Sequence, residues 1–391
     1  MKTILLFLLV ALSAVGQTTF NNVAVKTNLT VFGGGVLLVP PFTAEVASVT
    51  EPTAYQAFQR TNNTSGLIYV SGRCSGPVGT VVEARFNGGS WATVGSTDIY
   101  GAFSGTITGA VGQGDLAVRV QGGSTDITVT PVSVGDVFAI WGQSNGSGRL
   151  TNNQTTTNST FTVTMLGNDY VWKAISDPTD SSVNQIDTIS SDTDSLGMGS
   201  VWPLLADTWV NTTGIPIAFI QCTKGATGFG VSQPTWVPTT NHFDRTTLFG
   251  SAMYRIQVAH GVRAILWLQG EGGFDDVTGM SYITPFTNMV TVVQSEFPGL
   301  KLVPCKLQEC VGITTPRLTN GWYAIGRLWN EWTNLVYRGP TFADAPVGNP
   351  TNILAENEGT GLPYYHIKTS TNGAAASYRW ATNLISNFQT Y

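Results

Sequence analysis

VFAIWGQSNGSGR, residues 137–149, decides how the rest of the chain is read. The apolar run from Val137 to Trp141 has the length of a strand and stops at Gly142-Gln143-Ser144-Asn145. An unbroken apolar run bounded by turn residues suits a strand buried on both faces, as in a parallel sheet flanked by helices. Open α/β sheets bind their ligands beyond the carboxyl ends of such strands, which makes Ser144 the leading candidate for a nucleophile.

Downstream of Gly135-Asp136, strand-like runs alternate with segments of helical period: WPLLADTWV then IPIAFIQ, TTLFGSAMYRIQVAHG then AILWLQG, ITPFTNMVTVVQSEFPG then KLVPC. That alternation predicts βα units and a mostly parallel sheet with helices on both faces. The polar segment 152–197 reads as a long surface insertion beside the site, of the kind that shapes substrate access. A last helix over about 373–387 closes the domain.

Upstream the pattern is different. From residue 64 to 134, short β-rich runs (LIYVSGR, TVVEARF, SWATVGS, GAFSGTIT, DLAVRVQ, DITVTPVSV) recur between glycine-bearing turns, which predicts a small antiparallel sandwich. Residues 17–63 are polar around one apolar patch, GGGVLLVPPF, whose two prolines argue against a central strand; they read as an N-terminal arm. The first 16 residues carry one lysine, an apolar run and small residues at Ala14 and Gly16, the pattern of a signal peptide cleaved before Gln17. The expected divisions are therefore 1–16, 17–63, 64–134 and 135–391, in a protein that is secreted or periplasmic.

Composition narrows the function classes. Only 11% of the 391 residues are charged, and the 19 Lys and Arg are scattered, so there is no electrostatic footprint for nucleic acid. The apolar run near the N-terminus is too short to span a bilayer, and no later segment is apolar enough. Four cysteines (Cys74, Cys222, Cys305, Cys310) allow three pairings; Cys305 with Cys310 and Cys222 with Cys305 are both open. No metal-ligand spacing is present, so neither a metal nor another cofactor is expected.

A serine nucleophile requires a base, and the chain has three histidines. His260 ends a predicted helix, where a histidine serves as a terminus group. His242, in the polar loop TTNHFD, is a candidate substrate contact. His366, in PYYHIKTSTNG before the last helix, is the favoured base by elimination. The group that orients it is not picked out by spacing: Glu356 and Glu358 are the nearest upstream acids, and Asp275 and Asp276, on a loop after another strand, are candidates too. Two further strand-end turns, Thr223 to Thr227 and Gln269-Gly270-Glu271, offer backbone and amide N–H groups to an oxyanion. Trp141 and Trp202 read as core, whereas Trp236 and Phe229, in loop-like sequence, are candidates for stacking on a sugar ring.

Taken together, GQSN at 142–145, IQCTKGAT at 220–227 leading to Trp236, WLQGE at 267–271 and a late histidine before a helix resemble the SGNH-type hydrolases. The closest look is to their sialate O-acetylesterase and acetylxylan esterase branch (carbohydrate esterase family 6-like), over roughly residue 135 to the C-terminus. The resemblance implies a three-layer, flavodoxin-like α/β domain with a parallel sheet, preceded by a β-sandwich, that removes acetyl groups from a carbohydrate. It further implies Ser144 as nucleophile, His366 as base, the N–H groups of Ser144 and Gly225 with the Gln269 side chain as oxyanion hole, and Glu271 as a brace. In the family an acid usually stands three residues before the histidine; here Pro363 does, so the group that orients His366 stays open, and some related esterases work with a Ser-His pair in which a backbone carbonyl orients the imidazole. Ala226 also stands where a second glycine is common. A glycan-binding or fibre protein on an esterase fold with lost catalysis is the alternative that these departures leave.

Overall fold

The computed structural model describes residues 28–31, 35–38, 44–186, 189, 198–229, 236–270, 278–306, 315–342, 367 and 370–391; at 28–31, 35–38, 315–322 and 370–372 it describes backbone alone. Near the N-terminus β1 (Asn28–Val31) and β2 (Gly35–Leu38) pair as an antiparallel hairpin. The next eight strands are β3 (Val46–Glu51), β4 (Ala57–Gln59), β5 (Ser65–Cys74), β6 (Val81–Phe86), β7 (Ala92–Ser96), β8 (Ala102–Ala110), β9 (Gly112–Val120) and β10 (Asp126–Gly142). One sandwich layer is β3-β5-β8, and the other is β7-β6-β9 with the first half of β10 and β4. Along β5, Ile68, Val70 and Cys74 point inward while their neighbours face out, the period-2 pattern of a half-buried strand. They meet Val82, Phe86, Leu116, Val118 and Val132 of the facing layer.

Two divisions drawn from sequence move. β3 and β4 belong to the sandwich, so that unit begins near Val46 and not at residue 64. Their short strands lie among turn residues and Pro52, and only pairing with β5 and β10 declares them. The division between 134 and 135 falls inside a single strand: β10 pairs β9 antiparallel up to Val134 and β4 parallel up to Gly135, then continues parallel to β13 from Asp136 and to β14 from Phe138. No linker separates the two units.

After β10 come α1 (Ser144–Ser147), β11 (Thr164–Leu166), β12 (Trp172–Ala174), α2 (Trp202–Thr213), β13 (Ile217–Thr223), α3 (Leu248–Val258), β14 (Ala264–Leu268), α4 (Met280–Glu296), β15 (Leu302–Pro304), α5 (Thr315–Glu331) and α6 (Ser370–Phe388). The parallel sheet runs β11-β13-β10-β14-β15, with parallel bridges from Leu302 to Val336 and Lys306 to Thr341 beyond β15. Setting aside β11, this is a flavodoxin-like order with β10 at the position where successive connections go to opposite sides. The insertion is more than a surface loop: β11 adds to the sheet beside β13, and Met165 and Leu166 are buried.

Alternation along β10 assigns the two helical layers. Val137, Ala139 and Trp141 face the layer that includes Phe249, Met253, Phe286 and Leu328, from α3, α4 and α5. Phe138 and Ile140 face Trp202, Leu205, Trp209, Trp380 and Leu384, from α2 and α6. Helix α2 forms because Trp202, Leu205, Ala206, Trp209 and Val210 make one apolar face behind a proline in the first turn, and it stops at Gly214 with φ of 65°. Helix α5 was not foreseen in the sequence. Cys222 and Cys305 are not neighbours across the sheet, because β10 and β14 lie between their strands; Cys74 is a free thiol in the sandwich core. Cys310 lies outside the described residues.

Where the units join, Arg60 and Asp136 form a fully buried ion pair. Arg60 Nε lies 3.0 Å from both carboxylate oxygens, and Nη2 lies 2.9 Å from Oδ2. Gln59 donates to the same carboxylate and accepts from Val137 N–H, while Arg60 Nη2 donates to the Phe388 carbonyl at 2.8 Å. Removing one partner leaves an uncompensated buried charge, so Arg60→Met and Asp136→Asn should each lower unfolding free energy by about 3–5 kcal/mol in urea titrations. Replacing both with apolar residues should cost less than either single change.

Candidate active site

Three adjacent strand ends come together at the carboxyl edge of the sheet. Register sets Gly142 beside Thr223 of β13 on one side and Leu268 of β14 on the other. Ser144, Gly225 and Gln269 follow those three strand ends directly, so the parallel pairing brings the three sequence-predicted positions to one place. The turn between them is tight. Gly142 has φ of 130°, and a Cβ there would lie 2.0 Å from the Leu268 carbonyl oxygen. Gln143 N–H donates to that same carbonyl at 2.9 Å, and Lys224 N–H donates to the Gly142 carbonyl at 3.2 Å. Ser144 then opens α1 and is 6% exposed, buried yet at the edge where the strands end.

Helix α1 is fastened from several sides. Trp202 Nε1 and Gln221 Nε2 donate to the Gly146 carbonyl at 2.8 and 3.1 Å. Ser147 Oγ lies 2.9 Å from Thr223 Oγ1. Asn145 Oδ1 accepts from Ile367 N–H at 3.1 Å, which holds the residue that follows His366 against the serine turn. On the other flank Thr227 Oγ1 donates to the Lys224 carbonyl at 2.6 Å and accepts from Trp236 Nε1 at 3.2 Å. Gln269 Nε2 donates to the Thr227 carbonyl at 3.3 Å, joining the third strand end to the second. Ala226 takes the left-handed conformation, φ 55°, in a turn where a second glycine would adopt it without strain.

Some positions lie elsewhere than the sequence implies. Trp236 is fully buried, stacked on Trp141 at 5.5 Å and edge-on to Trp267 at 5.1 Å, so its ring belongs to the core and presents no face to a sugar. Phe229 is likewise buried, between Trp267 and Tyr282. Loop-like sequence misled because both rings fold inward under the strand-end turns. His242 Nδ1 lies 2.7 Å from Glu296 Oε1 at the end of α4. His260 ends α3 and stacks on Tyr69 of the sandwich at 3.6 Å, with Nε2 2.6 Å from Glu51 Oε1, so it joins the two units. Glu271, His366, Pro363, Glu356, Glu358, Asp275 and Asp276 lie outside the described residues. Among the described residues no cluster of three His, Cys, Asp or Glu side chains could hold a metal.

Sequence reasoning missed the polar groups beneath α1. Asp180, from the insertion, is fully buried and accepts from Thr223 Oγ1 at 2.7 Å and Asn168 Nδ2 at 2.5 Å. Arg255 of α3 donates to Asn168 Oδ1 at 2.6 Å and to the Gln221 carbonyl. The available signal was Gln221 and Thr223, polar residues in a strand whose seven positions are all buried; buried polar groups require partners. Farther out, Asp207 of α2 receives N–H and side-chain bonds from Thr157 and Asn158. Burial alone would raise its carboxyl, but those bonds outweigh it and hold the group below the usual range.

Residues 134–319 match the family of carbohydrate esterases described as sialic acid-specific acetylesterase. No curated protein matches the chain. Among solved structures the chain is similar to a carbohydrate acetylesterase from Xanthomonas citri, at 19% identity over 85% of this chain and 73% of that one, with a TM-score of 0.54. It is also similar to a protein from Arabidopsis thaliana, at 17% identity over 65% of this chain and 99% of that one, with a TM-score of 0.45. The first likeness is one of fold.

Gly142→Ala should destabilise the protein by about 2 kcal/mol or more in urea unfolding, because the methyl adds a collision to an unfavourable φ. Gly214→Ala, where φ is 65° and no heavy atom lies within 4 Å, carries the backbone cost alone and should lose about 1 kcal/mol.

Proposed function

We propose that this chain, whose residues 134–319 match the carbohydrate esterases, removes O-acetyl groups from a glycan, such as an acetylated sialic acid, through an acetyl-enzyme. Ser144 Oγ attacks the ester carbonyl carbon while the His366 imidazole takes its proton. The bond from that carbon to the sugar oxygen breaks, and the imidazolium returns the proton to the leaving oxygen. Water then attacks the acetyl-enzyme with His366 again as base; acetate departs and Ser144 regains its hydrogen. The backbone N–H groups of Ser144 and Gly225 and the Gln269 amide face the negative charge that develops on the carbonyl oxygen. Their origin on three adjacent strand ends supports that role.

The observation that carries the reading is the bond from Ile367 N–H to Asn145 Oδ1, since it fastens Ile367, which follows the late histidine in sequence, to the serine turn. Release of acetate from O-acetylated sialic acid and of p-nitrophenol from its acetate ester tests it. Ser144→Ala and His366→Ala should each lose about a thousandfold or more in kcat while staying folded, whereas His260→Ala should keep its activity. A fully active Ser144→Ala protein would sink the mechanism. A folded wild type without activity on either ester would favour glycan binding without catalysis.

We also propose that the chain is exported, on the strength of the charged, apolar and small-residue succession in its first 16 residues. Cell fractionation should find the protein outside the cytoplasm with its N-terminus at Gln17; a protein kept in the cytoplasm with Met1 retained would overturn this.

A further inference from the structure

Beneath the serine turn, the insertion contributes a buried carboxylate that accepts from Thr223 and Asn168. Thr223 Oγ1 donates to Asp180 Oδ2 at 2.7 Å, and Asn168 Nδ2 donates to Asp180 Oδ1 at 2.5 Å. A hydroxyl carries one hydrogen, so Thr223, having given its own to Asp180, can only accept from its other neighbours. Gln221 Nε2 donates to it at 2.8 Å. The Ser147 hydroxyl, 2.9 Å away, must then donate as well. The direction of the chain is fixed: Ser147 O–H to Thr223 O–H to the Asp180 carboxylate.

Ser147 is the last residue of α1, which Ser144 opens. All four residues of α1 are buried, and Ser147, Thr223, Gln221 and Asp180 are each fully buried. Inside a low-dielectric site a directed chain of hydrogen bonds is stiffer than the same bonds in water. Arg255 supplies positive charge to the same cluster, through Asn168 and the Gln221 carbonyl. The insertion's base is closed by the paired residues Leu150 and Gly199, so the segment that brings Asp180 is anchored at both ends.

We propose that Asp180 is a positioning residue: through Thr223 and Ser147 it sets the orientation of α1 and so the direction of the Ser144 hydroxyl. This rests on the esterase reading given above. It also makes the insertion part of the catalytic apparatus and not merely a wall of the substrate cleft. The site demands a carboxylate, because both Asp180 oxygens accept from donors and an asparagine can offer a carbonyl to one of them alone.

The test combines kinetics with hydrogen exchange on the full chain. Asp180→Asn and Thr223→Val should each lower kcat on p-nitrophenyl acetate about 100-fold, the scale of a displacement of about an ångström in a reacting group. KM should stay within about twofold, since both side chains are fully buried. Because the two act through one chain, the double variant should be little worse than either single one. Amides of 144–147 should exchange faster in both variants while those of β10 keep their protection. If kcat stays near the wild-type value, or falls only in proportion to the folded fraction, the positioning role is overturned while the esterase reading stands. If Asp180→Asn does not fold, Thr223→Val decides by the same kinetics. If the wild type has no esterase activity, that reading fails, and unchanged exchange at 144–147 would overturn the structural link too.

Discussion

The Arg60–Asp136 pair is the contact on which the architecture depends. Asp136 is the residue of β10 where the sandwich partners β9 and β4 have ended and pairing with β13 begins, and both charges are removed from water. A carboxylate at that position is tolerable only because Arg60 meets it with a planar fork, Gln59 adds a donor, and Arg263 approaches to 3.9 Å. The same guanidinium reaches the carbonyl of Phe388, so β4, β10 and the end of α6 are held at one point. His260, stacked on Tyr69 and bonded to Glu51, joins the units a second time.

This constraint reaches the site through the strand itself. Asp136 and Gly142 are the two ends of the seven-residue stretch registered against β13, so fixing one end aligns the other with Thr223 and Leu268. The chemistry-bearing residues are then a consequence of strand ends: Ser144, Gly225 and Gln269 fall together because three parallel strands terminate in step. What the strands leave undone is the orientation of the short α1. That falls to Trp202, Gln221, Thr223 and Asp180 from beneath, and to Ile367 from the C-terminal segment.

Much of this was legible in the chain. The run ending at GQSN, the switch from two-residue to helical periodicity after Gly135, and the glycine-bearing strand ends at Gly225 and Gly270 are local signals, and the parallel sheet and its helices follow from them. Other features were illegible for equally physical reasons. β3 and β4 are too short and turn-rich to announce themselves, and they become strands because β5 and β10 offer unpaired edges. Trp236 reads as a loop aromatic, yet its indole is worth more stacked against Trp141 with its N–H on Thr227 than exposed to solvent.

By itself the sequence determined the order of strands and helices and the candidate positions Ser144, Gly225 and Gln269, because each of these lies within a few residues of the strand end that announces it. The tertiary structure alone decided that the sandwich and the α/β unit share a strand without a linker. It also decided that an aspartate more than thirty residues beyond the serine lies beneath its helix. Those are contacts between segments distant in sequence, closed by burial and by the need of each buried charge for a partner, and neither condition leaves a mark on the residues nearby.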